Sequence, residues 1–305
     1  MPVFLPVAGV SVNLVLLVGA GGVVGFLSGL FGVGGGFLLT PILMMIGIPA
    51  TVAAASDTCQ IVAASSSGVG AHFRLGNVDF KLGGVLLVGG LAGAAVGVQI
   101  IKILRALGNA DLVISLTYVV MLGAIGLYMV IDSARQMRRG VAEAVKPHRP
   151  GRKRPLLGRL PWRMSFPRSG IEHSVLLPLL LAVVVGILAA IMGVGGGFIM
   201  VPIMVYVLGM SAHIAVGTSL FQILLTCAGT TYMQAATNHT VDLVLALLLA
   251  TGSALGAQVG AQVGRYLHGN QLLILLGGLA LLVAIKMMIG LVVAPEVLLV
   301  APRVH

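Results

Sequence analysis

The sequence predicts an all-α polytopic membrane protein built from two similar halves. Its 305 residues are 58% hydrophobic and only 9% charged, whereas a soluble domain carries about 25% charged residues. Apolar runs of the length and composition found here are typical of membrane-spanning helices. These segments, five on each side of a basic stretch, lie near 9–31, 36–48, 50–71, 82–101, 111–132, 174–193, 197–209, 212–235, 241–264 and 271–293.

The second segment of each half is short compared with the thickness of a bilayer. It has about 13 residues, or roughly 20 Å of helix, whereas the hydrocarbon core is about 30 Å thick. Each short segment follows the glycine run Gly-Val-Gly-Gly-Gly and contains a proline, Pro41 in the first half and Pro202 in the second. The pattern predicts broken or re-entrant helices at the two glycine runs.

The two halves repeat one another in sequence. The run Phe31–Phe37 recurs at a spacing of 161 residues as Met192–Phe198. With small slips in register, Gln60 aligns with Gln222 and Val78-Asp79 aligns with Val241-Asp242. Matching landmarks in one order indicate an internal duplication. Duplicated halves with interrupted segments are typical of secondary transporters, whose substrate sites lie between the repeats.

The net charge of +10 is concentrated between the halves. The preference of Lys and Arg for the cytoplasmic side predicts an N-terminal repeat (1–132), a basic cytoplasmic loop (133–173) and a C-terminal repeat (174–305). Binding of anionic lipid by this loop is an alternative interpretation. Nucleic acid is excluded as a partner because aromatic residues for base stacking are scarce. The basic residues are Arg135, Arg138, Arg139, Lys146, Arg149, Arg152, Lys153, Arg154, Arg159, Arg163 and Arg168.

The number of crossings sets the relative orientation of the repeats. If each half crosses five times, the halves are inverted and both termini lie outside. If the short segments only re-enter, eight crossings remain and the halves are parallel. The distribution of Lys and Arg does not separate these arrangements. The late first basic residue, Arg74, favours an external N-terminus and ten crossings.

The glycine runs are the first candidate binding elements. Backbone N–H groups at a helix start that follows glycine can hold an anion, because no side chain blocks them. On this hypothesis Gly34, Gly35 and Gly36 face one substrate together with Gly195, Gly196 and Gly197. The alternative is that these glycines permit a sharp turn and close helix packing.

The third segment of each half supplies polar candidates. Ser56 and Gln60 share one helical face, as do Thr218 and Gln222, and Ser219 adjoins the second pair. Such residues would line a path for substrate, although polar residues also hold membrane helices together by hydrogen bonds. His72 and Arg74 close the first of these segments and are interpreted as interfacial residues.

Asp57 is the sharpest candidate, as an acid within an apolar segment. Burying an ionisable group there costs about 3 kcal/mol and marks a functional site by default. Asp57 is therefore a candidate carrier of a coupling proton, neutral in part of the transport cycle. The competing interpretation is a helix cap at the membrane edge, because Pro49 lies only a few residues earlier.

The duplicated motif identifies a family. The paired Gly-x-Gly-Gly-Gly-Phe motifs with a following proline, the Ala-Val-Gly-Thr-Ser-Leu run at 215–220 and the Val-Asp pairs together resemble the sulfite exporter TauE/SafE family of permeases. The resemblance covers nearly the whole chain apart from the basic loop. It implies transport of small sulfur- or carbon-containing anions, such as sulfite or sulfonates, across a bacterial inner membrane. The family's Gly-Thr-Ser element corresponds to Gly217–Ser219, but the first half has Ala55, Ser56 and Asp57 there.

The combined expectation is a secondary anion transporter, with proton coupling through Asp57. A passive channel is the main alternative, and an intramembrane hydrolase fits less well because the chain lacks Gly-x-Ser-Gly and HExxH motifs. No catalytic residue, cofactor or metal is expected. The expected partners are a small anion and membrane lipid, and the sequence leaves open whether the chain forms a homodimer.

Overall fold

The computed structural model describes residues 2–138, 163–166, 168–169, 171–267 and 269–292. Residues 139–162, the centre of the predicted basic loop, lie outside the described part. The helices are α1 (Leu14–Phe31), α2 (Gly36–Met45), α3 (Ala50–Arg74), α4 (Phe80–Ala106), α5 (Ala110–Arg138), α6 (Leu176–Met192), α7 (Gly197–Pro202), α8 (Ala212–Asn238), α9 (Leu243–Gly264) and α10 (Gly269–Val292). A π-helical turn, Ile203–Val207, continues α7 after its proline.

The described chain is a predominantly helical, multi-pass membrane protein. Six helices, namely α1, α4, α5, α8, α9 and α10, are long and apolar enough to cross a membrane. Helix α3 is 25 residues long, and its many polar residues distinguish it from these six. The short helices α2 and α7 begin where the glycine runs end, at Gly36 and Gly197.

Two small hairpins precede the two sets of helices. Strands β1 (Pro2–Leu5) and β2 (Val10–Asn13) pair antiparallel, as do β3 (Arg163–Phe166) and β4 (Ile171–Ser174). The predicted first segment, 9–31, is therefore wrong at its start, because residues 10–13 form a strand and α1 begins at Leu14. Asn13 is the last residue of β2 and caps α1, because its side-chain oxygen accepts a hydrogen bond from the Val15 N–H (3.0 Å).

Glycines allow α1 to lie directly against α9. Gly21, Gly25 and Gly29 recur every fourth residue of α1, and a Cβ on each would overlap the backbone of Leu249, Ser253 or Ala257, respectively. Small residues at this spacing permit close approach of membrane helices. The residue numbers of the contacted positions in α9 increase along with those of the glycines in α1, so the two helices run parallel.

The corresponding helices α4 and α6 pack in the same way. Cβ atoms on Gly89, Gly93 and Gly97 of α4 would overlap the backbone of Leu179, Val183 and Ile187, in that order. Helices α4 and α6 are therefore also parallel. Each half thus packs one of its glycine-rich helices on a helix of the other half.

Two aspartates join the hairpins to the helix starts. The Asp242 carboxylate accepts from the Leu245 N–H (3.1 Å), which caps α9, and from the Val7 N–H (2.9 Å) in the first hairpin turn. The Asp79 carboxylate caps α4 at the Leu82 N–H (3.2 Å) and accepts from the Ser169 hydroxyl (2.6 Å) of the second hairpin. Each hairpin is held by the start of a helix in the opposite half.

Candidate functional site

The two glycine runs form tight turns between helices. Gly32, Gly34 and Gly35 have φ angles of 71°, 83° and 84°, and Gly193, Gly195 and Gly196 have 73°, 70° and 81°. A side chain is rarely tolerated in this left-handed region. All six glycines are buried. The runs therefore require glycine for their backbone conformation, whatever they bind.

The two glycine turns contact each other in the interior of the protein. A Cβ on Gly36 would lie 2.9 Å from the Val194 Cα, and one on Gly197 would lie 2.6 Å from the Val33 carbonyl oxygen. The rings of Phe37 and Phe198 stack with their centroids 6.0 Å apart. Gly34–Gly36 and Gly195–Gly197 are thus brought together as predicted candidates, and close packing accounts for part of their glycine requirement.

Helices α3 and α8 cross beside the glycine turns. Thr231 donates to the Thr58 hydroxyl (2.9 Å), and Gly68 lies so close to Leu220 that a Cβ on the glycine would be 3.0 Å from the leucine Cδ1. Along these contacts the residue numbers in α8 decrease as those in α3 increase, so the two helices run antiparallel. Ile61 and Ile223 form a small buried cluster with Cys227 at the crossing.

Asp57 lies inside α3, fully buried against the first glycine turn. Its Oδ2 atom accepts a hydrogen bond from the Thr40 hydroxyl of α2 (2.7 Å), while Oδ1 has no hydrogen-bond partner. A Cβ on Gly36 would lie 2.9 Å from Oδ2. Because α3 begins at Ala50, two turns earlier, Asp57 does not cap the helix.

Ser56 and Thr218 hold helix starts of the opposite half. The Asp242 N–H donates to the Ser56 hydroxyl oxygen (2.9 Å), and the Asp79 N–H donates to the Thr218 hydroxyl oxygen (3.0 Å). Both residues lie early in antiparallel helices, so they are at opposite ends of the crossing. The fold therefore does not bring these two candidates together.

Gln60, Ser219 and Gln222 are buried with unused hydrogen-bonding atoms. Both amide atoms of Gln60 and the Ser219 hydroxyl have no partner, and the exposures of the three side chains are 2% or less. Gln222 donates to the Thr226 hydroxyl (3.0 Å), but its carbonyl oxygen is unused. Buried polar groups are normally satisfied, so these atoms point to water or a ligand.

Thr40 and Tyr118 belong to the site but escaped sequence reasoning. The Tyr118 hydroxyl, from the middle of α5, donates to the Met192 carbonyl (2.7 Å) and lies 3.3 Å from the Gly36 carbonyl. It thus joins the ends of the two glycine turns. Thr40 stands directly before Pro41 in the first motif, and its hydroxyl in an apolar helix was the available signal.

Removal of the Tyr118 hydroxyl is expected to weaken the contact between the glycine turns. Tyr118→Phe leaves the buried Met192 carbonyl without its donor, which costs about 1–3 kcal/mol. A lower thermal unfolding midpoint in detergent would report this loss. Tyr232→Phe, at a residue with 74% exposure, is the control and should unfold like the wild type. Equal midpoints for all three proteins would contradict the assignment.

Within the described residues, no group of three His, Cys, Asp or Glu side chains is placed to hold a metal ion. The candidate residues comprise a buried carboxyl group at the first glycine turn and buried amides and hydroxyls on α3 and α8. The model of the family described as "Sulfite exporter TauE/SafE" matches residues 17–287, which include both turns and all the candidate residues. The chain belongs to the TauE/SafE sulfite exporter family.

Curated relatives of this TauE/SafE chain are described as probable membrane transporters or as members of the same family. It is 29% identical to the probable membrane transporter protein YjnA of Bacillus subtilis, over 79% of this chain and 85% of that protein. It is 26% identical to the probable membrane transporter protein YunE of the same organism, over 79% and 84%. Sulfite exporter TauE/SafE family protein 1 of Arabidopsis thaliana is 30% identical over 32% of this chain and 22% of its own length. No solved structure gives a significant match.

Proposed function

We propose that this TauE/SafE transporter moves a small oxyanion, such as sulfite or a sulfonate, as a secondary transporter with proton coupling at Asp57. The observation that carries the proposal is the set of unpartnered, buried polar atoms on α3 and α8, the two helices that cross beside the glycine turns. The Gln60 amide and the Ser219 hydroxyl can donate hydrogen bonds, which is what an oxyanion requires. The backbone at the start of α2 adds further donors at Gly36.

Asp57 explains why a proton would travel with the anion. An anion beside an ionised carboxylate is repelled, and the repulsion is strong in a medium of low dielectric constant. A proton on Asp57 removes that charge and converts the group into a donor. Anion and proton therefore favour each other's binding, and this coupling is reciprocal. Both move in the same direction in this scheme.

Inverted repeats are part of the proposal, and the helix contacts support them. Ser56, near the start of α3, binds the Asp242 N–H at the start of α9. Asp79, at the start of α4, follows the end of α3. Helices α4 and α9 therefore begin at opposite ends of α3, whose 25 residues span about 37 Å. Corresponding helices then point in opposite directions across the membrane.

Labelling of matched positions tests this topology. Gly47 and Gly209 are exposed, follow α2 and the π turn, respectively, and have open space where a Cβ would stand. In a background with Cys59 and Cys227 replaced by Ala, Gly47→Cys and Gly209→Cys should react with an impermeant maleimide from opposite sides of sealed vesicles. Reaction of both from the same side would mean that the repeats are parallel.

The basic loop, 133–173, is assigned to the cytoplasm of a bacterial cell, with the transporter in the inner membrane. The support is the preference of Lys and Arg for the cytoplasmic side, since this loop holds eleven basic residues. Contact of these residues with anionic lipid headgroups is compatible with that placement.

Flux measurements in proteoliposomes test the proposed function. Uptake of radiolabelled sulfite should saturate, show counterflow against unlabelled sulfite inside, and increase when the outside is more acidic than the inside. A passive channel would carry sulfite without counterflow. Absence of transport for sulfite, methanesulfonate and small carboxylates alike would refute the proposal. A shared response to the pH gradient would support coupling whichever anion is preferred.

A further inference from the structure

One face of α3 carries buried polar atoms without hydrogen-bond partners over most of its length. These atoms are Asp57 Oδ1, both amide atoms of Gln60, the Ser65 hydroxyl and both ring nitrogens of His72. Asp57, Gln60 and Ser65 have no exposed surface, and His72 is 4% exposed. Buried polar groups normally hydrogen-bond to the protein or to ordered water. Four residues with unpartnered atoms on one helix therefore indicate that water or a ligand lies along it.

Helical geometry places these four residues on one side of α3, here called the stripe. With about 100° per residue, they fall within an arc of roughly 140°, and about 22 Å separates Asp57 from His72 along the axis. Gly68 lies inside the same arc, between Ser65 and His72, and adds no side chain to the stripe. Gaps between successive polar groups exceed a hydrogen bond, so the stripe conducts a proton only with water between them.

The corresponding face of α8 also has unpartnered atoms, at Ser219 and Gln222, but it differs from α3 farther along the helix. Its aligned residues are Ser219, Gln222, Cys227, Thr230 and Gln234. Thr230 donates to the Thr226 carbonyl (2.8 Å) and Gln234 donates to the Ala190 carbonyl (3.4 Å). This face contains neither a carboxyl group nor an imidazole. The two repeats thus differ along the same face, and only α3 has ionisable groups at both ends of the stripe.

We infer that α3 carries a proton path between Asp57 and His72, and that α8 carries none. The inference rests on the proposed function, in which Asp57 binds the coupling proton. The Asp57 proton passes through water to one ring nitrogen of His72, and the other nitrogen releases a proton at the α4 end of the helix. The imidazole returns to its neutral form after each transfer.

The groups facing the two ends are compatible with this direction. Asp57 is approached by Thr40 of α2, and lies within electrostatic range of Tyr118 of α5 and Cys227 of α8. The Tyr118 hydroxyl already donates to a carbonyl, which leaves α3 as the open route. His72 lies near the Gly29 backbone of α1, without a hydrogen bond of normal geometry to it. It also lies near His213, which precedes the buried part of α8. Both histidines stand at the same end of the crossing.

Measuring proton flux and anion exchange separately distinguishes a defect in the proton path from a defect in anion binding. Liposomes containing a pH-sensitive dye report protons, and exchange of labelled for unlabelled sulfite at equal pH needs no net proton movement. His72→Gln installs the residue found at the aligned position 234. We expect His72→Gln and Ser65→Ala each to slow gradient-driven uptake and dye acidification by about tenfold or more. Exchange should stay at the wild-type rate, and Cys227→Ala, the matched α8 control, should preserve both.

The outcomes distinguish this inference from the proposed function. If the wild type responds to the pH gradient, Asp57→Asn does not, and both path variants couple normally, the path is wrong and the function stands. If the wild type itself ignores the gradient, coupling at Asp57 fails and the path fails with it. Loss of exchange together with coupling in a folded Ser65→Ala protein would also overturn the path, since that residue would then act on anion transport itself.

Discussion

Asp57→Asn is expected to abolish the response of anion transport to a pH gradient. Asn has nearly the same shape as Asp and keeps an oxygen that can accept the Thr40 hydroxyl (2.7 Å in the wild type). It cannot release or bind a proton in the transport cycle. The measurement is uptake of radiolabelled sulfite into proteoliposomes with an imposed acid-outside gradient, where the variant should fall to its rate without a gradient.

Exchange at equal pH is expected to persist in Asp57→Asn. The neutral amide resembles the protonated acid, and a neutral group beside the site does not repel the anion. Asp111→Asn serves as a matched control, because Asp111 is exposed at the start of α5 and its carboxylate accepts only the Thr51 N–H (3.2 Å) among the described contacts. The control should respond to the gradient like the wild type. Gradient-driven uptake that survives in Asp57→Asn would place coupling elsewhere.

Substitution by the residue of the other repeat tests the same assignment. Ser219 occupies the position of Asp57 in the second half. Asp57→Ser should therefore give a transporter whose two halves match at this position, and which exchanges anions without proton coupling. The reciprocal Ser219→Asp adds a second buried acid, on α8, and is expected to weaken anion binding by repulsion.

Hydropathy located the helices because the length of an apolar run can be read from neighbouring residues alone. The predicted segments 36–48 and 50–71 correspond to Gly36–Met45 and Ala50–Arg74, and both short helices follow the glycine runs. The hairpins were missed. Residues 10–13 are Val-Ser-Val-Asn, and in a hydropathy profile this short stretch merges with the long apolar run that follows. The second hairpin was also missed, because it lies within the basic stretch, which was interpreted from its charge alone.

Long-range contacts explain what sequence patterns left out of the site. A polar residue on a helix gives the same pattern whether it faces a ligand or holds another helix. Ser56 and Thr218 were predicted to line a path, yet each accepts an N–H from a helix start more than one hundred residues away. Tyr118 joins the glycine turns through backbone carbonyls at Met192 and Gly36, which no side-chain motif reveals.

The glycine turns are predicted to be intolerant of even one added methyl group where they touch the opposite half. Gly193 ends α6 with φ 73°, and its Cβ would overlap the Ala54 backbone of α3. Gly32 has the same relation to Val216 of α8. Since helix backbones cannot shift as a flexible side chain can, Gly193→Ala is expected to cost more than about 4 kcal/mol and to prevent recovery of folded transporter.

Gly108→Ala separates backbone strain from this overlap. Gly108 has φ 74°, and no atom would lie within 4 Å of a Cβ added to it. Its substitution carries only the left-handed penalty of about 1–2 kcal/mol. The yield of monodisperse protein and the thermal midpoint in detergent should therefore be near wild type for Gly108→Ala and strongly reduced for Gly193→Ala. Similar stability of the two variants would mean that α3 and the second glycine turn do not touch, and that the glycine there serves the turn alone.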